Sequence, residues 1–474
     1  MWLKFLDRSE IEKIHYASLK ILEEEGALVL EHDFLKFLDN AGAIVDYDRK
    51  RAKLPSALVN ECMRKAPRQV TFYARDPKHG VKFDGGQIFS HPTGGTINVL
   101  DLESGKARSA TLKDVEDLVR LVDALPNIHT QVMIANPSDV PEHVRDIYAV
   151  AAILKNTGKN FDASPYSDDG FGFMIEMVKA VQGEEEFSKR PIMTASFSPT
   201  SPLQFSVEVT KIAARAAKYN LPIAVLPCPV AGATSPVTLA GTLVQQNAEM
   251  LAGITMVQLL NPGNPVQYSP RCIPLDMRTG QACYGIEATM MNVGCVQLAK
   301  YYNLPCDVYG LDTDSKTLDE QAGIERAMAG LLPALAGADS ISGAGCLESG
   351  ITTSYEQLVI DDEVFAMIFR AAKGIGVNEE TLAVDVIAKV LRESSNFLEQ
   401  KHTLNHFRTE HFMPTLASRE ARARWEKTGG KSLTETAREK VKRILAEHQP
   451  LPLEEEANKE IEKILKTATK ALAS

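Results

Sequence analysis

Five side chains between Tyr309 and Asp362 have the types and positions to line a charged pocket: Asp312, Asp314, Lys316, Glu348 and Tyr355. The first three follow a short apolar run, Cys306 to Tyr309, and the last two follow another, Asp339 to Ile341, across a Gly343-Ala344-Gly345 turn. Each run leads through a polar, glycine-bearing segment into a helical pattern, near Asp319 and near Thr353, so the same strand, loop, helix unit occurs twice. In barrels built from such units the loops after the strands carry the chemistry, because they converge at one face. The chemistry these residues offer is charge stabilisation. Glu348 is the sharpest case, since charged residues are seldom buried unpaired and an acid after a Gly-Ala-Gly turn is hard to explain by packing; a structural hydrogen bond to its own loop is the competing reading.

Composition narrows the partners. The net charge is −10 and the lysines and arginines are scattered, which excludes the basic stripe of a nucleic-acid binder. Seven cysteines, at 62, 228, 272, 283, 295, 306 and 346, form no CxxC pair and no zinc-finger spacing, as expected of a protein in a reducing cytoplasm. The opening MWLKFLDRSEIEK becomes charged too soon for a secretory signal, and no apolar run reaches the roughly 18 residues of a membrane span, so a soluble protein is expected. His402, His406 and His411 lie close together in HTLNHFRTEHFMP. A helical i, i+4 histidine pair can bind zinc, but HExxH context and an evident carboxylate ligand are lacking, so a packed polar interface is the preferred reading and no metal is expected. His15 and His32 read as surface or boundary residues.

The elements that must position the pocket fall into three parts. Residues 1–86 read as a mostly helical subdomain: a helix from Ser9, with Ser9 and Glu12 spaced as a capping box, running to Gly26; helices over His32–Asn40 and Pro55–Lys65; and short strands in VTFYAR and FDGG. Residues 87–375 alternate. The runs QIFSHPTGG, TQVMIANP, NFDASPYS, PIMTASFSP, PIAVLPCPV, PVQYSPRCI, CDVYGLDTDSK and DSISGAGCLESG each precede a helical pattern. Eight such units predict an α/β fold with a parallel (β/α)8 TIM barrel, and no GxGxxG or P-loop fingerprint supports the competing open sheet. Residues 376–474 read as a helical cap, with helices over Asn378–Glu393 and Leu433–Glu447 and a charged terminal helix on the surface or against a neighbouring subunit of a homo-oligomer.

GGTINVLD, SFSPTSPL, DTDSKTLDEQAG, GAGCLESGITTSYEQLVIDDE and HTLNHFRTEHFMP, in this order and at this length, resemble the trimethylamine methyltransferase superfamily over nearly the whole chain. The resemblance implies a barrel that moves a methyl group from an amine to the cobalt of a corrinoid on a small separate protein, with no cofactor bound tightly by the chain itself. The trimethylamine enzymes of that family contain pyrrolysine within the barrel. Every position here is a standard residue, which points to the branch without pyrrolysine, typified by enzymes acting on glycine betaine. Demethylating a quaternary ammonium releases a neutral tertiary amine, so attack by Co(I) requires no proton at the leaving nitrogen. The protein's task is then to desolvate the cation and orient one methyl group.

A trimethylammonium pocket needs aromatic faces, each contributing about 0.5–2 kcal/mol. Tyr166, Phe197, Tyr268, Tyr309 and Tyr355 sit at or just past predicted strand ends and are expected to supply them, barrel packing being the alternative for each. Glu348 and Asp312 are expected to face the ammonium, and His91, Arg271 or Lys316 to meet the carboxylate of a betaine substrate. Glycine betaine, carnitine, butyrobetaine, proline betaine and choline all fit this reading. Two other classes stay open: a quaternary-amine binding protein without catalysis, and another barrel methyltransferase with a different methyl donor.

Overall fold

The computed structural model describes residues 3–393 and 396–473. Eight parallel strands appear at the eight runs: β1 (Phe89–Pro92), β2 (Gln131–Val132), β3 (Phe161–Ala163), β4 (Met193–Phe197), β5 (Ile223–Val225), β6 (Val266–Tyr268), β7 (Asp307–Val308) and β8 (Ser340–Ala344). Strands β2 to β6 pair in chain order in one parallel sheet, and β7, β8 and β1 pair in that order in a second. Between the sheets, Tyr268 forms a parallel bridge with Cys306, and the amides of His129 and Thr130 donate to the Ser90 carbonyl at 2.9 and 3.2 Å. The HPTGG and GAGCLESG segments lie at the same end: Pro92 pairs with Ala344, and the Thr93 amide donates to the Ala344 carbonyl at 3.1 Å.

Helices follow the strands: α1 (Leu112–Ala124), α2 (Arg145–Asn156), α3 (Asp168–Gln182), α4 (Val207–Lys218), α5 (Leu239–Leu260), α6 (Ile286–Tyr302), α7 (Glu320–Ala336) and α8 (Tyr355–Ala372). All residues of β4, β5 and β6 are buried, as parallel strands covered on both faces require. Helix α5 is buried on nearly every side because the helices Arg8–Glu24 and Ser56–Lys65 pack on its outer face, which accounts for the near-continuous apolar character of its sequence. Its Gly253 permits a close approach to the sheet, since a Cβ there would stand 2.6 Å from Val225 Cγ1.

The flanking segments bury their apolar faces in the same core as the strands, from Ile11 and Leu22 at one end to Ile461 and Leu465 at the other. The amino-terminal segment holds more strand than expected. Ala27–Val29, Ile44–Asp46 and Arg51–Lys53 form an added sheet, in which Ala27–Val29 also pairs parallel to Gln204–Phe205 in the loop after β4; Val70–Phe72, in the expected VTFYAR strand, pairs with Val81–Phe83 as a hairpin. The first helix starts one residue early and is capped by Asp7 with Glu10, not by Ser9 with Glu12; Asp7 accepts from the Glu10 amide at 2.9 Å, and the Glu10 carboxylate accepts from the Asp7 amide at 2.8 Å. In the carboxy-terminal segment, the helix expected over 378–393 is split into Glu379–Leu382 and Val384–Glu393, because Ala383 adopts a left-handed conformation with φ of 51°. Leu433–Glu447 packs on α8 and α1, and Glu455–Ala471 on α3. Among the described residues no helix is long and apolar enough to cross a membrane.

Candidate functional site

A cavity of about 500 Å³ opens where the strands end. Its lining residues follow the strands one by one: Thr93 and Gly94 after β1, Ser164 and Tyr166 after β3, Ser198 after β4, Cys228 after β5, Arg271 after β6 and Tyr309 after β7. A smaller space of about 50 Å³ lies beneath it, inside the strands, walled by Thr130, Thr194, Gln267 and Ser340 and by Phe72 and Phe83 of the hairpin. The hairpin thus stops the amino-terminal end, and the larger cavity is entered from the carboxyl-terminal end. His91, Asp162 and Arg271 line both spaces and form the throat between them.

The throat is ionic. Asp307, pointing inward from β7, is held on both oxygens: Oδ1 lies 3.0 Å from His91 Nε2, and Oδ2 accepts from Arg271 Nη2. Arg271 Nη1 also donates to the carbonyls of Asp307 and Pro270, each at 3.0 Å. The other ring nitrogen of His91 stands 2.8 Å from the Pro92 carbonyl oxygen. A carbonyl and a carboxylate can only accept, so both imidazole nitrogens donate and the ring is charged. Burial alone would lower the His91 pKa, but Asp307 more than offsets it and the net shift is upward. Burial likewise works against the Asp307 charge, yet Arg271 and His91 hold its carboxyl well below the usual carboxylate range.

Asp162 differs. It points inward from the middle of β3, its Oδ1 is buried without a hydrogen-bond partner, and burial pushes its carboxyl up to about 7. Above the throat the wall is aromatic. Tyr284 meets Tyr309 edge to face, with centroids 5.1 Å apart and planes at 86°, and the Arg271 guanidinium lies 5.1 Å from the Tyr309 ring centre. Tyr166 is half exposed at the rim, its hydroxyl donating to Asn136 Oδ1.

Of the residues expected from sequence, the structure brings His91, Arg271, Tyr166 and Tyr309 to the cavity. Asp312 lies one layer behind, fully buried, with one oxygen accepting from Thr93 Oγ1 at 2.9 Å and its pKa raised by burial. Asp314 is a tie between loops: it accepts from the Tyr284 amide at 2.9 and 3.0 Å and from the Ser349 hydroxyl at 2.7 Å.

Asp312 and Asp314 are thus not cavity residues, and five further expectations are corrected, two of them by strand parity. Successive strand residues face opposite sides; Thr194 of β4 and Gln267 of β6 line the inner space, so Phe197 and Tyr268 point outward to the helices. The Phe197 ring meets α5 at Gly253, and the Tyr268 hydroxyl donates to Asn247 Oδ1 at 2.8 Å. Tyr355 donates to Asp114 Oδ1 at 2.9 Å on the outer side. Lys316 is exposed and donates to the Asp314 carbonyl at 2.7 Å. Glu348 does not line the cavity: its carboxylate accepts from Thr352 Oγ1 at 2.8 Å, its amide donates to the Ser315 carbonyl at 2.8 Å, and the neighbouring Ser349 and Gly350 face the cavity instead. The loop hydrogen bond, not a charge toward the ligand, explains this acid.

Asp162, Asp307 and Tyr284 were not anticipated. The available signal for the first two was an acid inside a buried strand run, FDA and CDV, where only an inward-facing, functional or paired carboxylate is tolerable. His402 and His406 contact Glu380, His406 Nε2 at 3.1 Å from its Oε1, in a polar contact between helices. Among the described residues no group of three His, Cys, Asp or Glu could hold a metal.

Parallel strands each followed by a helix make this an α/β protein, and its tyrosine-walled cavity over an ionic throat lies at the strand ends, where such folds place small-molecule sites. The chain belongs to the trimethylamine methyltransferase (MTTB) family, whose model matches residues 2–473. It is 35% identical over 448 residues to trimethylamine methyltransferase MttB of Desulfitobacterium hafniense (strain DSM 10664 / DCB-2), covering 94% of this chain and 90% of that protein. It is 32% identical over 461 residues to glycine betaine methyltransferase of Desulfitobacterium hafniense (strain Y51), covering 96% and 95%. The fold is similar to that of the Methanosarcina barkeri monomethylamine methyltransferase (MtmB), with a TM-score of 0.51 at 14% identity over 98% of this chain and 94% of that one.

Proposed function

We propose that the protein is a methyltransferase that demethylates a quaternary amine, glycine betaine or a related betaine, and passes the methyl group to Co(I) of a corrinoid carried by a separate protein. The observation that carries this reading is the cavity itself, walled by Tyr166, Tyr284 and Tyr309 and open at the strand ends. Aromatic faces hold a methylated cation without hydrogen bonds, and a neutral amine leaves without a proton donor. The residues present fit such a reaction: the aromatic wall can hold the cation, no proton has to be supplied to the leaving nitrogen, and the mouth is the face from which the acceptor must approach. The acceptor supplies the nucleophile. The chain's own part is to exclude water, hold the ammonium against the tyrosines and turn one methyl outward. For a betaine, Arg271 and His91 attract the substrate carboxylate to their side of the throat, with the ammonium across from it beneath the tyrosines.

On this reading the two parallel sheets form one eight-stranded (β/α)8 barrel, residues 87–375 carry the site, residues 1–86 and 376–474 are additions, and no cofactor is resident. We place the protein in the cytoplasm, as a homo-oligomer, in one-carbon metabolism. Trimethylamine is the less suitable donor, because a free tertiary amine leaves poorly and the chain contains no pyrrolysine. The test is anaerobic incubation with reduced free cobalamin and each amine in turn, following loss of Co(I) absorbance. Methylation by betaines but not by trimethylamine is expected; methylation by trimethylamine alone overturns the reading.

A further inference from the structure

We propose that Asp162 is a specificity-determining residue of this site, its carboxylate supplying the counter-charge for the substrate's ammonium at the throat of the cavity. The inference rests on the quaternary-amine reading and adds to it the residue that recognises the charge. The other acids near the cavity are committed or screened from it. Asp307 is bonded on both oxygens, Asp314 holds Tyr284 and Ser349, and Glu348 is bonded to Thr352; Asp312 also has one buried oxygen without a partner, but it lies behind Thr93 and does not line the cavity. Asp162 lines the cavity and presents a buried oxygen that no protein group satisfies. Such an atom is costly unless a ligand completes it. Depth agrees: the space beneath the throat measures about 50 Å³ against about 500 Å³ above it, so a trimethylammonium group entering from the mouth comes to rest at the throat, beside Asp162.

The charged groups facing Asp162 are His91 from β1, Arg271 after β6 and Asp307 from β7, with the Ser196 hydroxyl of β4 beside it. The first three are engaged with one another, which leaves the Asp162 charge to the ligand. With the cavity empty, burial holds its carboxyl near neutrality, about 7. A cation that draws the carboxylate form releases a proton on binding, and its affinity rises with pH through the neutral range. The same burial makes the ionised group a burden on the empty fold: the cost is absent near pH 4 and grows as pH rises toward 7.

The test measures binding by calorimetry with no corrinoid present, comparing two isosteric pairs, glycine betaine with 3,3-dimethylbutanoate and choline with 3,3-dimethylbutan-1-ol. Within each pair only the ammonium charge differs. The wild type is expected to prefer the charged member by about tenfold or more, a size ordinary for a desolvated charge contact. Asp162→Asn is expected to lose that preference and its proton release, measured in buffers of different ionisation enthalpy, while Asp162→Glu keeps part of both. Thermal unfolding serves as the fold control: without ligand, D162N should melt higher than wild type at pH 8 and equally near pH 4, whereas a residue needed only for packing would lower the melting temperature at both. Retention of the charged-over-neutral preference in a folded D162N overturns the assignment of Asp162 and leaves the quaternary-amine reading standing. A wild type indifferent to the ammonium charge overturns both.

Discussion

His91 Nε2 lies 3.0 Å from Asp307 Oδ1 while its other ring nitrogen faces the Pro92 carbonyl, so the imidazole donates from both sides and is charged beneath the cavity. Removing Asp307 would strand that cation together with Arg271. Asp307→Asn is therefore expected to destabilise the fold by about 3–5 kcal/mol, the range for breaking a buried ion pair on one side. Urea unfolding at pH 7 measures it.

The pH dependence of that loss follows from the shifts. The Asp307 carboxyl is depressed, so its stabilisation is fully present above the unfolded carboxylate value of about 3.9 and is lost as pH falls toward its folded value. The His91 pKa is raised, so its contribution is present below about 6.5 and is lost as pH rises through its folded value. The stability difference between wild type and D307N should be largest between about pH 4 and 6.5 and shrink on both sides. A difference that does not vary with pH would contradict the ionic description of the throat.

Tyr309 offers a ring to the cavity and stacks edge to face with Tyr284. Tyr309→Leu keeps bulk and removes the π face, and is expected to weaken quaternary-amine binding by about 1–2 kcal/mol. Tyr309→Phe should bind within about twofold of wild type, because the ring and not the hydroxyl is the contact. Calorimetric titration separates the two variants; equal losses in both would shift the role to the hydroxyl.

Arg326 is buried beneath the loops that follow β7 and β8, donating to Asp361 at 2.8 Å and to the carbonyls of Leu311 and Cys346. Arg326→Met alone should cost about 3–5 kcal/mol, and pairing it with Asp361→Leu should recover much of that, as buried ion pairs replaced by apolar residues often do. Chemical denaturation of both variants checks the asymmetry.

How far the sequence could be read is clearest at β3 and β6. The eight runs were legible because strands buried on both faces read as short apolar stretches between polar loops, each with a helix behind it. The facing of their residues was not, because strands of two to five residues have ends that composition does not mark, and a shift of one position turns every side chain to the other face. That is why Tyr268, read as a cavity residue, belongs to the α5 contact, while Gln267 beside it faces inward. Arg271, further on in the loop, reaches the cavity as expected because a loop position after a strand end does not depend on parity. Asp162 carries no such mark in the sequence, whereas an acid after a glycine turn stands out; yet Glu348, with its backbone at φ of 54° and its bond to Thr352, is a loop fastener.

The most direct test of the account is a single-turnover experiment with a quaternary amine carrying a ¹³C-labelled methyl group, the purified protein and a reduced corrinoid protein, with both products quantified. The account predicts one labelled methyl on cobalt for each tertiary amine released, and no release of amine when the corrinoid is left oxidised. Release of the tertiary amine without a methylated corrinoid, or labelled methylcobalt formed from trimethylamine and not from any quaternary amine, would contradict it.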